Sequence, residues 1–520
     1  MGKVYLVGCD LGTMGAKAAI YDTEGHLIAD AYEETPIRYP KAGWAEQDLD
    51  EIYGCAVRTI ARCVEKSGIN TADVAALAFS SQMSGIGMID RNWRPVAHFD
   101  SWLDTRCEPY IQVMSEHARE ITALNGCPPT YAHGPKILWW KHEEPEAYRA
   151  IHKFVVPSGY VAGRFAGLPA DEAFIDDTVI HFSGFADLQN RRWSDDLLNL
   201  YGVDGAKLPR IVRPTDIIGR LTAEAARATG LREGTPIAAG AGDQAAGSLG
   251  AGVVDPGDAF DSAGTAACFS ICVGDFKPDV ENQMVLCART AIDGRYYALS
   301  FIQGGGLNLR WFRDEFAAEE KARCEAAGES IYAYLDRLAS EVPAGAGGAI
   351  FLPHVQGRVL PPTPYLRGAW VGFTWHHNKA ALFRAILEAV AFEYASYLRI
   401  EQDLVPGLTC REVNVIGGGA NSELWCQIKA DVLGADYCKL QWADVGTLGC
   451  ALVAGAAVGI YSDLAAVAKR MATTTERIRP RPEYHAFYQP YVRAYGRLLR
   501  ELNPLFAELA ALPRELSEVK

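Results

Sequence analysis

Several short segments of this chain carry residue types that could together handle a phosphoryl group. In Asp10-Leu11-Gly12-Thr13-Met14-Gly15-Ala16-Lys17 a carboxylate ends an apolar run and is followed by two glycines and a hydroxyl. Glycine lets the backbone approach a phosphate and adopt positive φ, Thr13 can donate a hydrogen bond, and Asp10 can hold Mg2+ directly or through water. The same run reads equally as a hairpin turn. Ser262-Ala263-Gly264-Thr265 has the same character, and two such turns in one chain favour the phosphate reading over either alone. Gly240-Ala241-Gly242-Asp243-Gln244 sets a carboxylate where a strand gives way to a helix, so Asp243 is either a reacting group or a helix N-cap. Gly417-Gly418-Gly419-Ala420-Asn421-Ser422 is either a capped βα loop or a flat floor for a nucleoside. It is not GxGxxG and lends little to a dinucleotide fold. Gln82-Met83-Ser84-Gly85 with Trp102, Asp104 and Tyr131 would make a polar pocket with aromatic walls, suited to a polyol; the alternative is loop polar residues and core aromatics.

These residues need elements to position them. Strands are expected over Val4–Cys9, Lys17–Tyr21 and His26–Tyr32, a β-meander with the first glycine turn at its first corner. Asp258–Thr265 leading into Ala266–Val273 echoes it, which suggests duplicated lobes. Buried strands are expected over Thr71–Phe79 and Pro236–Gly240, and helices over Leu49–Lys66, Ser115–Leu124, Ala380–Glu401 and Leu424–Leu433. A terminal helical segment, Tyr491–Leu512, is expected to be interrupted at Pro504. Strands alternating with helices imply an α/β architecture.

Composition excludes several classes. A chain of 520 residues predicts two or three domains, with the main boundary near Gly250–Gly257. The net charge of −14, without a dense basic run, argues against nucleic acid and anionic membranes, so a polyphosphate must be gripped locally. The longest apolar stretch, Leu448–Tyr461, is short of the roughly 20 residues a spanning helix needs and reads as a buried core helix. Val4-Tyr5-Leu6-Val7 follows Met1 and Lys3 too closely for a secretory leader. Thirteen cysteines without a CxxC pair resemble neither a disulfide framework nor a zinc site, and indicate buried thiols in a reducing cytoplasm.

In order and spacing these motifs resemble the FGGY family of carbohydrate kinases, nearest in pattern to its xylulokinase group, from about Val4 to Ile460. Asp10-Leu11-Gly12-Thr13 is similar to the family's first phosphate motif, Ala263-Gly264-Thr265 to its second, Gly242-Asp243-Gln244 to its catalytic motif and Gly417–Ser422 to its adenosine motif. Both family signatures appear in altered form: Tyr131–Trp139 with departures at His133, Trp140 and His142, and Gly368–Glu388 with departures at Phe373 and Ala381.

The resemblance implies an α/β fold of two ribonuclease-H-like, actin-like lobes of the sugar kinase/Hsp70/actin superfamily with an interlobe catalytic cleft. Residues 1–252 would form the N-terminal lobe, 253–490 the C-terminal lobe and 491–520 a helical tail. It implies ATP and Mg2+ as cofactors, a cytoplasmic location and a possible homodimer. Asp243 matches the base, and Asp10 with Asp243 the metal-linked acids. Gly12, Thr13, Gly264, Thr265, Gly305, Gly418, Gly419 and Asn421 match ATP contacts, and Gln82, Met83, Ser84, Trp102, Tyr131, Asp243 and Gln244 match acceptor contacts. The implied reaction is γ-phosphate transfer from ATP to a hydroxyl of a small neutral ketose, D-xylulose or a related ketopentose, with ribulose, L-xylulose, erythritol and glycerol as alternatives. Xylulokinases typically carry His where Ser84 stands. Glycerol-kinase-like enzymes tend to carry Arg-Glu where Met83-Ser84 stands, which argues against glycerol, and residues 80–90 hold no Lys or Arg to clamp a sugar acid. An actin-like ATPase would lack the Gly-Asp-Gln base, and a silent sugar sensor would have lost Asp243 or Asp10; both carboxylates are present.

Overall fold

Two nearly continuous apolar runs joined by a glycine turn form the first two strands of the expected meander, and around it the first of two units assembles. In the computed structural model, which describes residues 3–264, 266–441 and 444–512, strands Tyr5–Leu11, Gly15–Asp22 and Leu27–Glu34 pair antiparallel in sequence. Val74–Ser81 lies parallel to Tyr5–Leu11, and Pro236–Ala238 and Ala241–Gly242 lie parallel to Val74–Ser81. Val74–Ser81 is buried at nearly every position, as a central strand covered on both faces must be.

Helix Leu49–Ser67 begins where the Asp48 carboxylate accepts from the Asp50 and Glu51 amides and ends at Gly68 in the left-handed region. It buries Ile52, Cys55, Ala56, Thr59, Ile60 and Cys63, a stripe of helical period. The apolar stretch near residue 450 forms the buried helix Val445–Ala457, capped by the Asp444 side chain. Two expectations shift. Thr71–Asp73 is a 3-10 turn capped by Asn70, so the strand starts only at Val74. Ser115–Leu124 splits into Glu108–Ser115 and Ala118–Asn125, the first ending where the Ser115 hydroxyl bonds back to the Ile111 carbonyl.

By contact the chain divides into one unit of Met1–Pro256, Cys272–Tyr297 and Asp444–Thr473 and another of Gly257–Ile271, Ala298–Ala443 and Thr474–Lys520. The second unit repeats the motif of the first. Asp258–Ala263 pairs antiparallel with Ala267–Val273 across the second glycine turn and parallel with Glu412–Ile416, as Tyr5–Leu11 does with Gly15–Asp22 and Val74–Ser81. Asp436–Leu440 and Thr474–Ile478 extend that sheet. Helix Lys379–Leu404 is buried along most of its length.

The terminal helix differs from expectation: it runs unbroken from Pro482 to Ala510, through both Pro490 and Pro504. Each interior proline costs about 3 kcal/mol of helix stability, which packing of the buried Tyr488, Tyr495 and Leu499 offsets. Among the described residues no helix is long and apolar enough to cross a membrane. All thirteen cysteines are free thiols, and only Cys268 and Cys410 are partly exposed.

Candidate active site

Sheet register brings the two candidate carboxylates together. Asp10 is paired with Ser80 across the parallel ladder, and Ser80 is paired on its other side with Ala241. Asp243 follows two residues later, as the first residue of helix Asp243–Gly250. Both groups therefore lie at the carboxyl ends of adjacent strands, where open α/β sheets bind ligands. The Ser80 hydroxyl donates to Asp10 Oδ1 at 2.6 Å. Lys17, paired with Asp10 across the hairpin, reaches Asp444 Oδ2 at 2.8 Å.

Of the two readings of Asp243, the N-cap is not the one found. Gly242 occupies that position, and among the described residues the Asp243 carboxylate takes only the adjacent Gln244 amide, at 2.7 Å. Burial and then the charge of Asp10 push Asp243 up to about 7, against the Gln244 hydrogen bond. Burial lifts Asp10 to about 6, with Asp444 acting in the same direction and Ser80 and Lys17 opposing. The pair carries more negative charge than its surroundings offset, and a divalent cation would reverse that. Two hard oxygen donors suit Mg2+, which keeps waters and phosphate oxygens as its other ligands. Among the described residues no cluster of three or more ligating side chains occurs, so any further ligands would come from water and phosphate.

The acceptor-side candidates gather in the same unit. Gln82 Nε2 donates to Gln47 Oε1 at 2.7 Å, and Gln47 Nε2 donates to the Thr13 carbonyl at 3.0 Å. The side-chain oxygens of Gln82 and Gln244 are buried and have no hydrogen-bond partner among the described residues. Such acceptors suit hydroxyl donors. Met83 is buried, its thioether so close to Gly242 that a Cβ there would meet Met83 Cε at 2.8 Å. Ser84 and Tyr131 are partly exposed, and burial raises the Tyr131 phenol to about 12.

Trp102 and Asp104 each have partners that their own segments do not announce. Trp102, read as a sugar wall, donates its indole N–H to the Thr13 hydroxyl at 2.8 Å, so acceptor wall and phosphate turn share a hydrogen bond. Asp104 faces no pocket: it is fully buried, accepts the Ala45 amide at 2.7 Å and binds Arg106 with both oxygens. Neither glycine of the first turn has positive φ, and of the two only Gly15 is required by close approach. A Cβ on Gly15 would lie 2.2 Å from the Glu33 carbonyl oxygen.

The altered signature Tyr131–Trp139 supports this site from behind. His133 Nε2 donates to the Met83 carbonyl at 2.7 Å, and burial, aided by the charge of Lys136, pushes the imidazole down to about 4, so it is neutral. Lys136, fully buried, donates to the Ser101 and Asp104 carbonyls at 3.0 and 2.9 Å and so holds both flanks of Trp102.

Within the second unit, Gly264, Gly418, Gly419 and Asn421 line a cavity of about 1090 Å³, room enough for a nucleoside. Gly417, at φ +79, turns the chain out of strand Glu412–Ile416 into this floor, a conformation that favours glycine. Gly305 lies against Ala267, and the residue on the lining is its neighbour Gly306, whose amide donates to the Gly264 carbonyl at 3.0 Å. Thr265 lies outside the described residues. Asp336, unmarked by any motif, also lines the cavity; burial raises its carboxyl, and a hydrogen bond from Ser422 opposes this.

Residues 5–250 match the N-terminal domain of the FGGY family of carbohydrate kinases, and residues 260–458 match its C-terminal domain. The chain belongs to this family. FGGY kinases transfer phosphate from ATP to an alcohol group, and this chain is such a phosphotransferase. An autoinducer-2 kinase of Enterobacter sp. (strain 638) is 30% identical over 515 residues, spanning 93% of this chain and 92% of that protein. A xylulose kinase of Bacillus subtilis (strain 168) is 26% identical over 506 residues, spanning 94% and 96%. The crystal structure of a xylulose kinase from Rhodospirillum rubrum superposes with a TM-score of 0.85 at 26% identity, over 97% of this chain and 100% of that one. The fold is accordingly the two-lobed, ribonuclease-H-like α/β fold of this FGGY kinase's relatives.

Proposed function

We propose that this FGGY kinase phosphorylates a hydroxyl of a small neutral ketose, D-xylulose or a related ketopentose, with Asp243 as general base. The observation that carries the reading is Asp243 itself: a carboxylate at a strand–helix junction beside Asp10, free of capping duty and tied only to the Gln244 amide among the described residues, so that an oxygen is left to take the proton of an acceptor hydroxyl. Gln82 and Gln244 offer buried acceptor oxygens to the sugar's hydroxyls, and Met83, Ser84, Trp102 and Tyr131 shape the rest of its site. The adenosine sits in the cavity floored by Gly418 and Gly419 and bordered by Asn421, and the turns at Gly12-Thr13 and Gly264-Thr265 hold phosphates. Asp10 and Asp243 hold Mg2+, which when bound neutralises charge on the transferring phosphoryl group. In this division of labour residues 1–252 supply the acceptor site, the first phosphate turn and the base, 253–490 the second phosphate turn and the adenosine site, and 491–520 form a helical tail.

Asp10, fixed by Ser80, orients the metal side, while Asp243 receives the proton of the attacking hydroxyl. The Trp102–Thr13 hydrogen bond ties acceptor position to phosphate position. A second reading, that the acceptor is autoinducer-2, is favoured by the 30% identity to the Enterobacter protein and by Ser84 in place of the usual His. An ATP-coupled screen of about two dozen sugars and polyols plus autoinducer-2, run on wild type and Asp243→Asn, separates the two. Asp243→Asn should lower kcat by at least about 10²-fold with little change in acceptor affinity. Near-normal kcat in that variant rejects the base, and preference for an acidic sugar rejects the acceptor class.

A further inference from the structure

The peptide that carries Asp243 is anchored by a side chain no motif marks. The Gly242 amide, at the N-cap of helix Asp243–Gly250, donates to Thr178 Oγ1 at 2.9 Å across 64 residues of sequence. The Thr178 hydroxyl in turn donates to Asp176 Oδ1, and the same oxygen accepts the Thr178 amide at 3.0 Å, so the hydroxyl's proton is committed to Asp176 and its lone pair is turned to Gly242. Asp176 ends strand Phe174–Asp176, which pairs with Arg210–Val212, so the anchor is built on sheet and not on a loose loop.

All three groups are buried: Asp176 is 1% exposed and Thr178 0%, and Gly242 is enclosed. The other Asp176 oxygen, Oδ2, is buried and has no hydrogen-bond partner among the described residues. A carboxylate held this way is costly to the fold, which marks its orientation for attention as more than packing. What it orients is Thr178, and what Thr178 holds is the residue before Asp243. On the other side Met83 packs against Gly242, leaving no room for a Cβ. Among the described residues the Asp243 carboxylate itself is tied only to its own neighbour, the Gln244 amide, so its direction follows the direction of the backbone at Gly242.

We propose that Thr178, oriented by Asp176, is a positioning residue that aims Asp243 at the acceptor hydroxyl. The proposal rests on the general-base reading above. It concerns the chemical step: an ångström of drift in the base costs rate while leaving substrates bound, because the nucleotide and most of the acceptor's contacts, Gln82, Met83, Ser84, Trp102 and Tyr131, lie outside this peptide.

The test is steady-state kinetics with ATP and the best acceptor from the screen, on wild type, Thr178→Val, Thr178→Ser and Asp243→Asn, with thermal melting of each. Thr178→Val should lower kcat about ten- to a hundredfold with both KM values within about twofold, and Thr178→Ser, which restores the hydroxyl, should keep at least about half of wild-type kcat. A Thr178→Val enzyme with kcat within about twofold of wild type overturns the proposal, and so does a Thr178→Ser enzyme as slow as Thr178→Val. If Thr178→Val does not melt cooperatively, Thr178→Ala and Asp176→Asn carry the test. The first deletes the acceptor of the Gly242 amide and should be slow; the second keeps an oxygen for the Thr178 hydroxyl and should be the faster of the two. The reverse order overturns the proposal. Asp243→Asn separates the two levels of argument: if it is fully active the base reading itself falls, whereas if it is inactive and Thr178→Val is normal only the positioning role falls.

Discussion

Replacing Asp243 by asparagine should make the ligand-free protein more stable at neutral and alkaline pH, although on the proposed reading it should disable the enzyme. Burial and Asp10 raise the folded-state carboxyl from 3.8 to about 7. Below about pH 4 the group is neutral in both folded and unfolded chains, and wild type and variant differ little from this source. As pH rises, the unfolded chain releases its proton first, while the folded wild type keeps its own up to about 7. Wild-type stability therefore falls between about pH 4 and 7 and levels off above, whereas the variant has no such loss. The interval is about three pH units at ~1.4 kcal/mol each, which caps the gap at ~4 kcal/mol. The side-chain oxygen of the introduced asparagine can still accept the Gln244 amide, so the hydrogen bond at 2.7 Å is retained. In a unit of this size the gap corresponds to about 3–6 °C in Tm. Calorimetry in magnesium-free buffer at pH 5, 6, 7 and 8 is the assay, and the variant's advantage must grow with pH. An equal shift at every pH, or a variant that melts lower at pH 8, would refute the argument that its surroundings raise the Asp243 carboxyl.

Three further outcomes are expected. Gly418→Asp should weaken ATP binding about tenfold in calorimetric titration without weakening acceptor binding, because a Cβ there meets no atom within 4 Å and the added carboxylate projects into the nucleotide cavity; a selective acceptor defect contradicts the assignment. Ser84→His should shift kcat/KM towards D-xylulose by several-fold, the worth of about one hydrogen bond, measured across D-xylulose, L-xylulose, D-ribulose, L-ribulose, erythritol and glycerol. Unchanged ratios place residue 84 away from the acceptor. Trp102→Phe deletes the N–H that reaches Thr13, and should raise the KM for ATP by several-fold although the residue belongs to the acceptor side; an effect confined to the acceptor KM breaks that link.

The hairpin around Gly12 was legible because each strand's short apolar run and the turn's glycines lie within a dozen residues of one another. The second copy at Asp258–Val273 was legible for the same reason. Asp243 was singled out by its strand–helix junction, a feature five residues long. Helix Leu49–Ser67 was placed to within a residue, since its buried stripe is written at a period of 3.6, and Lys379–Leu404 and Glu423–Leu433 to within a few residues.

What the sequence determined by itself was therefore local: strands, turns, helices and the residue types at their ends. What only the tertiary structure decided was who meets whom at long range. Nothing near Asp104 says that Arg106 and the Ala45 amide take its carboxylate, or that Trp102 reaches Thr13 across 89 residues. Nothing near Thr178 says that it receives the Gly242 amide. Pro490 and Pro504 stop a helix judged alone, but not one whose Tyr488 and Tyr495 are buried against neighbours. The physical reason is the same in each case: local propensities are worth tenths of a kcal/mol to a few kcal/mol and can be read from adjacent residues. Partners in hydrogen bonds and packing follow instead from strand register, and register is settled only when the whole sheet buries its apolar faces at once.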